Sequence, residues 1–476
     1  MNTKKFCDSF VWGVTTASYQ IEGGVKDGGR GESIWDRFSH IPGRVLHDDH
    51  GDIACDSYHR AEEDVRLLKE LGVKAYRFSI AWPRIFPGGY GQVSEDGLRY
   101  YEELIDGLLE AGIEPYVTLY HWDLPQKLQD EGGWTNRKTA EYFCDYCGVL
   151  FGRFGGRVHH WITLNEPWVV AFVGNYTGEM APGLRDFSAA LTASHVQLLA
   201  HGMAVRLFRS MGLDGEIGVT LNLSPKEALT DTPENLAAAV RHDGYANRWF
   251  LEPLFAGSYP EDMWEWYGRQ QVVLPEICPG DMELIRQPVD FLGINYYNID
   301  YTVSDLSVWP IGFRSGFSGG NPMTHYQMPV IPEGLKKILV RVYKDYHPPK
   351  IYITENGASY QEHPDRNGQV PDDARIDYIH THLQKAAEAV EEGVPLAGYF
   401  VWTLMDDFEW NTGYENQFGL VYVDRKTLAR TKKKSFFWYR QVIDSNGGAV
   451  LEENEEHDRH CFWGIKGGGS LRRLEK

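Results

Sequence analysis

The chain has 476 residues, 42% of them hydrophobic and 13% aromatic, enough to build a large buried core. Lys and Arg number 47 against 67 Asp and Glu, a net charge of −20. So acidic a surface repels nucleic acid and anionic membranes, offers no basic stripe for phosphates, and suits a neutral substrate better than an anionic one.

At the N-terminus, Lys4 and Lys5 are followed by only a few apolar residues. This is neither a signal-peptide core nor an apolar span of about 20 residues, so the expected location is cytoplasmic. Short runs rich in β-branched and aromatic residues then recur, and they predict strands at 11–17, 75–80, 115–120, 160–165, 216–221, 291–295, 351–355 and 398–402. Helical periodicity falls between them at 62–71, 98–109, 136–151, 189–209 and 374–392; Val65, Leu68 and Leu71, for example, share one face. Continuous apolar strands alternating with helices mark a parallel sheet covered on both sides. Eight such units predict an α/β fold, a single (β/α)8 TIM barrel with elaborated loops at the C-terminal face of its strands. The barrel is expected to occupy residues 1–442. The remainder, 443–476, is acidic from Glu452 to His460, carries Gly467, Gly468 and Gly469, and is expected to be a weakly ordered tail.

Six cysteines in so long a chain make no disulfide framework. Cys144 and Cys147 form a C-x-x-C pair inside an amphipathic run, without a second pair or a nearby His, and are expected to be packed helix thiols. The glycines from Gly23 to Gly29 lack the G-K-[ST] ending of a P-loop and the spacing of a dinucleotide fingerprint. His159 and His160 would point to opposite faces of a strand, His195 and His201 are six apart on a helix, and no H-E-x-x-H or G-x-S-x-G occurs. No metal and no cofactor is expected.

Catalytic groups in such barrels stand at the carboxyl ends of the strands. There the fourth strand ends in Asn165-Glu166-Pro167 and the seventh in Glu355-Asn356-Gly357; His121, Trp122, Asn295, Tyr297, Trp402, Glu409 and Trp410 follow other strands. One such glutamate is readily a first-turn acid of the next helix. Two of them, on strands far apart in sequence and each beside an Asn, converge on one cleft. Glycosidic cleavage needs such a pair, one to protonate the leaving oxygen and one to attack the anomeric carbon; retaining enzymes hold the carboxyls about 5–5.5 Å apart. The abundance of Trp (15) and Tyr (27) fits a sugar ligand, whose C–H face packs on an indole.

These residues resemble the β-glucosidases of glycoside hydrolase family 1 over nearly the whole chain to about Val442. The matching stretches are Phe10-Val11-Trp12-Gly13 with Ala17, Gln20, Glu22 and Gly23; Arg77 to Arg84; Thr163 to Pro167; and Ile353 to Gly357. The resemblance implies a retaining β-glucosidase acting on terminal non-reducing β-D-glucosyl residues, with side activity on β-galactosides and β-fucosides. Glu166 would be the acid/base and Glu355 the nucleophile. Asn165 would bind the 2-hydroxyl, Arg77 and Tyr297 would hold the nucleophile, and Asn295 would support it. Gln20, His121, Glu409 and Trp410 would grip the sugar over Trp402, with Trp168 and Tyr176 flanking the leaving group and Trp122 in support.

Glu409 stands where 6-phospho-β-glycosidases carry a Ser, so unphosphorylated substrates are expected, small β-glycosides or cello-oligosaccharides. The alternatives are a 6-phospho-β-glycosidase and, in another class, a sugar-binding barrel that has lost catalysis. Two positions depart from the family pattern, Thr403 for Ser and Asp407 for Asn. No oligomeric state is assigned from the sequence.

Overall fold

The computed structural model describes residues 6–451. Eight parallel strands close a barrel: β1 (Val11–Thr15), β2 (Ala75–Ser79), β3 (Glu114–Tyr120), β4 (His160–Asn165), β5 (Glu216–Asn222), β6 (Phe291–Asn295), β7 (Ile351–Asn356) and β8 (Leu396–Trp402). They pair in sequence order, and β8 closes onto β1 with Val11 opposite Gly398 and Thr15 opposite Trp402. The sequence reading placed these same eight strands to within a few residues.

Around them lie α1 (Ser57–Leu71), α2 (Glu95–Glu110), α3 (Lys138–Phe154), α4 (Phe187–Ser210), α5 (Pro233–Asp243), α6 (Pro332–Tyr346), α7 (Asp373–Glu391) and α8 (Lys434–Asp444). Sequence periodicity had found α1 to α4 and α7 but not α5, α6 or α8. Each of those three starts at a Pro or Lys, and α5 and α6 lie in long β-to-α excursions with their own small sheet of Lys226–Ala228, Asp300–Ser304 and Phe313–Gly316. Cys147 is buried on α3 and Cys144 half-buried, both as free thiols.

Every residue of β2 and β6 is buried, as strands sandwiched between a filled interior and a helical coat must be. The amino-terminal half of the barrel is plugged by Tyr116, Ile162, Phe291, Tyr352 and Phe400. That plug leaves the other end of the barrel open for chemistry.

The boundary expected near Val442 falls inside α8. Beyond it, Asn446 accepts a hydrogen bond from Trp12 Nε1 (2.9 Å) and donates one to the Phe6 carbonyl (3.0 Å), and Val450 is buried. Residues 452–476, with the acidic and glycine-rich stretches, lie outside the described residues. Among the described residues no helix is long and apolar enough to cross a membrane.

Candidate active site

Glu355 is brought to the barrel mouth by an irregular strand. Side chains on a strand alternate faces, yet Thr354 Oγ1 donates to Asn295 Oδ1 (2.8 Å) while the next residue, Glu355, also reaches Asn295. The register of β7 slips between Ile353 and Glu355 against β6, and between Ile353 and Asn356 against β8. Such an extra residue re-aims a side chain. A similar slip lies between Ile162 and Asn165 of β4. Thr163 bonds outward to His201 of α4 (2.7 Å), whereas Asn165, two residues on, turns into the mouth. Glu166 follows with φ +48°, a left-handed conformation uncommon for glutamate, and leads into a π-helical segment, Val169–Thr177. Gly357 is demanded by packing, since a Cβ there would lie 1.9 Å from the Trp402 carbonyl oxygen.

Both glutamates line one cavity of about 340 Å³ together with Trp122, Trp168, Asn295, Tyr297, Trp402, Glu409 and Trp410. Arg77 stands behind them, on β2. It donates to Glu355 Oε1 (2.7 Å) and to Asn165 Oδ1 (2.6 Å), and Tyr297 Oη donates to Glu355 Oε2 (2.8 Å). Asn295 Nδ2 donates to Glu166 Oε1 (2.6 Å) and to Asn165 Oδ1 (3.1 Å). One hydrogen-bonded chain thus runs from one carboxyl to the other through Arg77, Asn165 and Asn295.

The two carboxyls differ in their surroundings. Burial raises both above the ordinary glutamate range. At Glu355 this is opposed by the Arg77 charge and by hydrogen bonds from Tyr297, Arg77 and Asn295. Glu166 has Asn295 and the more remote charge of Arg77 against both burial and the charge of Glu355, and it is pushed up to about 8. These surroundings favour the proton on Glu166 over Glu355.

Asn165 has its carbonyl oxygen saturated by Arg77 and Asn295, and one N–H given to His121 Nε2 (3.0 Å). Its second N–H is left for a ligand. His121 accepts through Nε2, so its proton sits on Nδ1, a buried atom with no protein partner. Burial and the Arg77 charge hold this ring well below the usual histidine range, as a neutral donor. Gln20 donates through Nε2 to Glu409 (3.3 Å) and Asp407 (3.4 Å), leaving Oε1 buried and unpartnered. Trp410 packs against Trp122 and Trp35 at 4.5 and 4.6 Å between ring centroids, and Trp122 Nε1 donates to the Asn165 carbonyl (2.9 Å). These are directional polar groups beside flat apolar walls, the complement of a pyranose.

The two departures from the family pattern touch: Thr403 Oγ1 donates to Asp407 Oδ2 (3.3 Å). Burial first, then the neighbouring Asp406, raises Asp407 well above the carboxylate range, and burial with Asp407 does the same to Glu409. Trp168 is on the cavity wall, but Tyr176 is not; its hydroxyl donates to the Trp309 carbonyl (2.8 Å). Sequence reasoning did not find Tyr326, Met328 and Phe418, which also line the cavity. They sit on loops away from the carboxyl ends of the barrel strands, where no local pattern marks them.

The role of Arg77 is testable by pH. Arg77→Met removes the cation that favours ionised Glu355, so the acidic limb of kcat/KM should move to higher pH and kcat/KM should fall by about 100-fold or more as Asn165 and Glu355 lose alignment. A pH–rate profile of the folded variant with an unshifted acidic limb would contradict this.

Comparison with known proteins places the chain among sugar-cleaving enzymes. The family model described as Glycosyl hydrolase family 1 matches residues 2–448. β-Glucosidase A of Thermotoga maritima is 48% identical over 449 residues, covering 94% of this chain and 99% of that protein. β-Glucosidase A of Acetivibrio thermocellus is 45% identical over 455 residues, covering 94% and 100%. The solved structure of the Thermotoga maritima family 1 β-glucosidase in complex with glucoimidazole superposes with a TM-score of 0.90 at 47% identity, covering 93% of this chain and all of that one.

Proposed function

The chain belongs to glycosyl hydrolase family 1, and from that premise we propose that it is a retaining β-glucosidase releasing terminal non-reducing β-D-glucosyl residues through a covalent intermediate on Glu355. The observation that carries this reading is the unlike pair of carboxyls in one cavity, Glu355 gripped by Arg77 and Tyr297, Glu166 raised to about 8 and bonded to Asn295.

In the first step Glu355 attacks the anomeric carbon as the bond to the leaving oxygen breaks. Glu166 gives its proton to that oxygen, the aglycone departs as an alcohol, and an α-linked glucosyl ester remains. In the second step Glu166, now an anion, takes a proton from water; the hydroxide attacks the same carbon and frees Glu355. Two inversions restore the β configuration. Loss of the Glu355 charge in the ester lowers the pKa of Glu166, so the same group serves first as acid and then as base. Asn165's free N–H would bond the 2-hydroxyl, where such bonds strengthen toward the transition state. His121, Gln20 and Glu409 would hold the remaining hydroxyls over Trp402 and Trp410.

The decisive experiment is hydrolysis of an aryl β-glucoside followed by NMR: β-glucose should appear first, and initial release of the α anomer would rule out retention. Activity on β-galactosides and β-fucosides, which differ from β-glucosides only at carbons 4 and 6, belongs to the same proposal.

The choice of unphosphorylated sugars rests on Glu409 and Asp407. A 6-phosphate here would have to shed its water beside two buried carboxyl groups whose ionisation burial already opposes, with the Gln20 amide, committed to both, as the donor between them, and placing a second anion there costs several kcal/mol. kcat/KM on cellobiose 6-phosphate should be lower than on cellobiose by about a thousandfold. Comparable rates on the two would return the 6-phospho-glycosidase reading.

A further inference from the structure

Far from the catalytic pair in sequence, the segment 40–52 gathers two imidazoles and a carboxylate. His40 follows the short helix Ile34–Ser39, and His50 and Asp52 lie on the loop before Cys55. His40 Nε2 is 3.4 Å from Asp52 Oδ2, His50 Nδ1 is 3.4 Å from Asp52 Oδ1, and the three ligand atoms all lie within 4.8 Å of one another. We propose that His40, His50 and Asp52 form a structural site for a late first-row divalent cation of the zinc type, with solvent in the remaining position.

Each imidazole nitrogen stands 3.4 Å from a different Asp52 oxygen, close to the spacing of two ligands on one cation, and the nitrogens would draw in from within 4.8 Å to share it. Bonds of about 2.0–2.1 Å in tetrahedral array put neighbouring ligand atoms about 3.3 Å apart, whereas a good N–H···O hydrogen bond is nearer 2.9–3.0 Å. The tautomer also fits. His40 Nδ1 is 2.7 Å from the Asp36 carbonyl oxygen, which can only accept, so Nδ1 carries a proton and in the neutral tautomer the Nε2 lone pair faces Asp52. A ligating histidine is commonly oriented through its second nitrogen in this way.

His50 Nδ1 and Asp52 Oδ1 add an independent sign. Both atoms are shut off from solvent and neither finds a hydrogen-bond partner, although the side chains themselves are 43% and 29% exposed. Two occluded polar atoms facing one another are costly unless something charged lies between them. Two nitrogens and one carboxylate suit zinc and its neighbours; magnesium and calcium require more oxygen ligands.

The position suggests what the cation would do. Asp49 accepts from the Tyr414 backbone N–H (3.1 Å), and Tyr414 Oη donates to the His50 carbonyl (2.9 Å). A cation at His40, His50 and Asp52 therefore ties the end of helix Ile34–Ser39 to the loop that backs Glu409 and Trp410. It would stiffen that support and take no part in bond cleavage. The inference rests on no part of the catalytic reading.

The test is zinc titration by isothermal calorimetry of the full chain after stripping with a chelator, with magnesium as control, alongside thermal unfolding. The native chain should bind one equivalent of zinc, gain thermal stability from it and ignore magnesium. His50→Ala and, as a milder change, Asp52→Asn should each weaken zinc binding by about 100-fold or more and abolish the gain. His47→Ala, a neighbouring exposed histidine, should leave binding intact, and aryl-glucosidase kcat should be unchanged in His50→Ala. Absence of stoichiometric zinc binding in the native chain, or equal affinity in both variants, would overturn the proposal. So would a stability gain that appears only on acidification and without zinc, which would mark an imidazolium–carboxylate pair instead.

Discussion

Glu355→Ala is expected to lose about 10⁵-fold or more in kcat on an aryl β-glucoside while keeping its fold. The size follows from what the side chain does in the proposed mechanism: without it no ester forms, and only binding and the remaining electrostatics accelerate the reaction. The variant leaves the buried Arg77 without its carboxylate, so it should lose about 3–5 kcal/mol of stability, but Arg77 keeps its bonds to Thr118, Asn165 and the Thr354 carbonyl, and circular dichroism should show the barrel intact. Added azide should enter the space vacated by the carboxylate and attack from that side in a single displacement, giving the α-glycosyl azide. Near-native turnover, or a β-azide, would remove Glu355 from the nucleophile's role.

Glu166→Ala should behave differently, and the contrast separates the two roles. General acid catalysis contributes about 10²–10⁴-fold, and only where the leaving group needs a proton. Cellobiose turnover should drop by about that factor, whereas a dinitrophenyl β-glucoside should still glycosylate Glu355 at a rate close to native. Hydrolysis of the ester would then be slow for want of a base, and azide should rescue it as the β-glycosyl azide after two inversions. The pH profile supplies a further check. On the proposed mechanism kcat/KM should rise as Glu355 ionises and fall as the proton on Glu166 is lost, so the alkaline limb should lie near 8, a value that belongs to the interacting pair. That limb should vanish in Glu166→Ala. Equal losses on good and poor leaving groups would refute the acid/base assignment.

The electrostatic division behind both expectations is built from few parts. Arg77 serves Glu355 and Asn165 at once, and Asn295 serves Asn165 and Glu166. A fixed cation near one carboxyl and an uncharged amide near the other is enough to separate two chemically identical side chains.

Much of this was legible before any coordinates. Apolar runs bounded by turn residues revealed all eight strands, and Glu166 and Glu355 stood out because each directly follows or ends such a run. Those are local signals, written within about ten residues and governed by backbone periodicity and burial. The helices α5 and α6 escaped because they follow long excursions, α5 packing on the small sheet and α6 on α7, so neither directly succeeds the apolar strand that would mark it. Facing directions escaped as well: strict alternation from Thr163 would have turned Asn165 outward, and only the register slips in β4 and β7 aim Asn165 and Glu355 into the mouth. Which atoms meet across long chain separations lay wholly in the packing. The pairing of Gln20 with Glu409, of Asp49 with Tyr414, of Thr403 with Asp407, and the gathering of His40 and His50 around Asp52 all depend on where loops come to rest. Residue order specifies each segment's preferred shape, but the approach of distant side chains is set by the common core that all segments bury together.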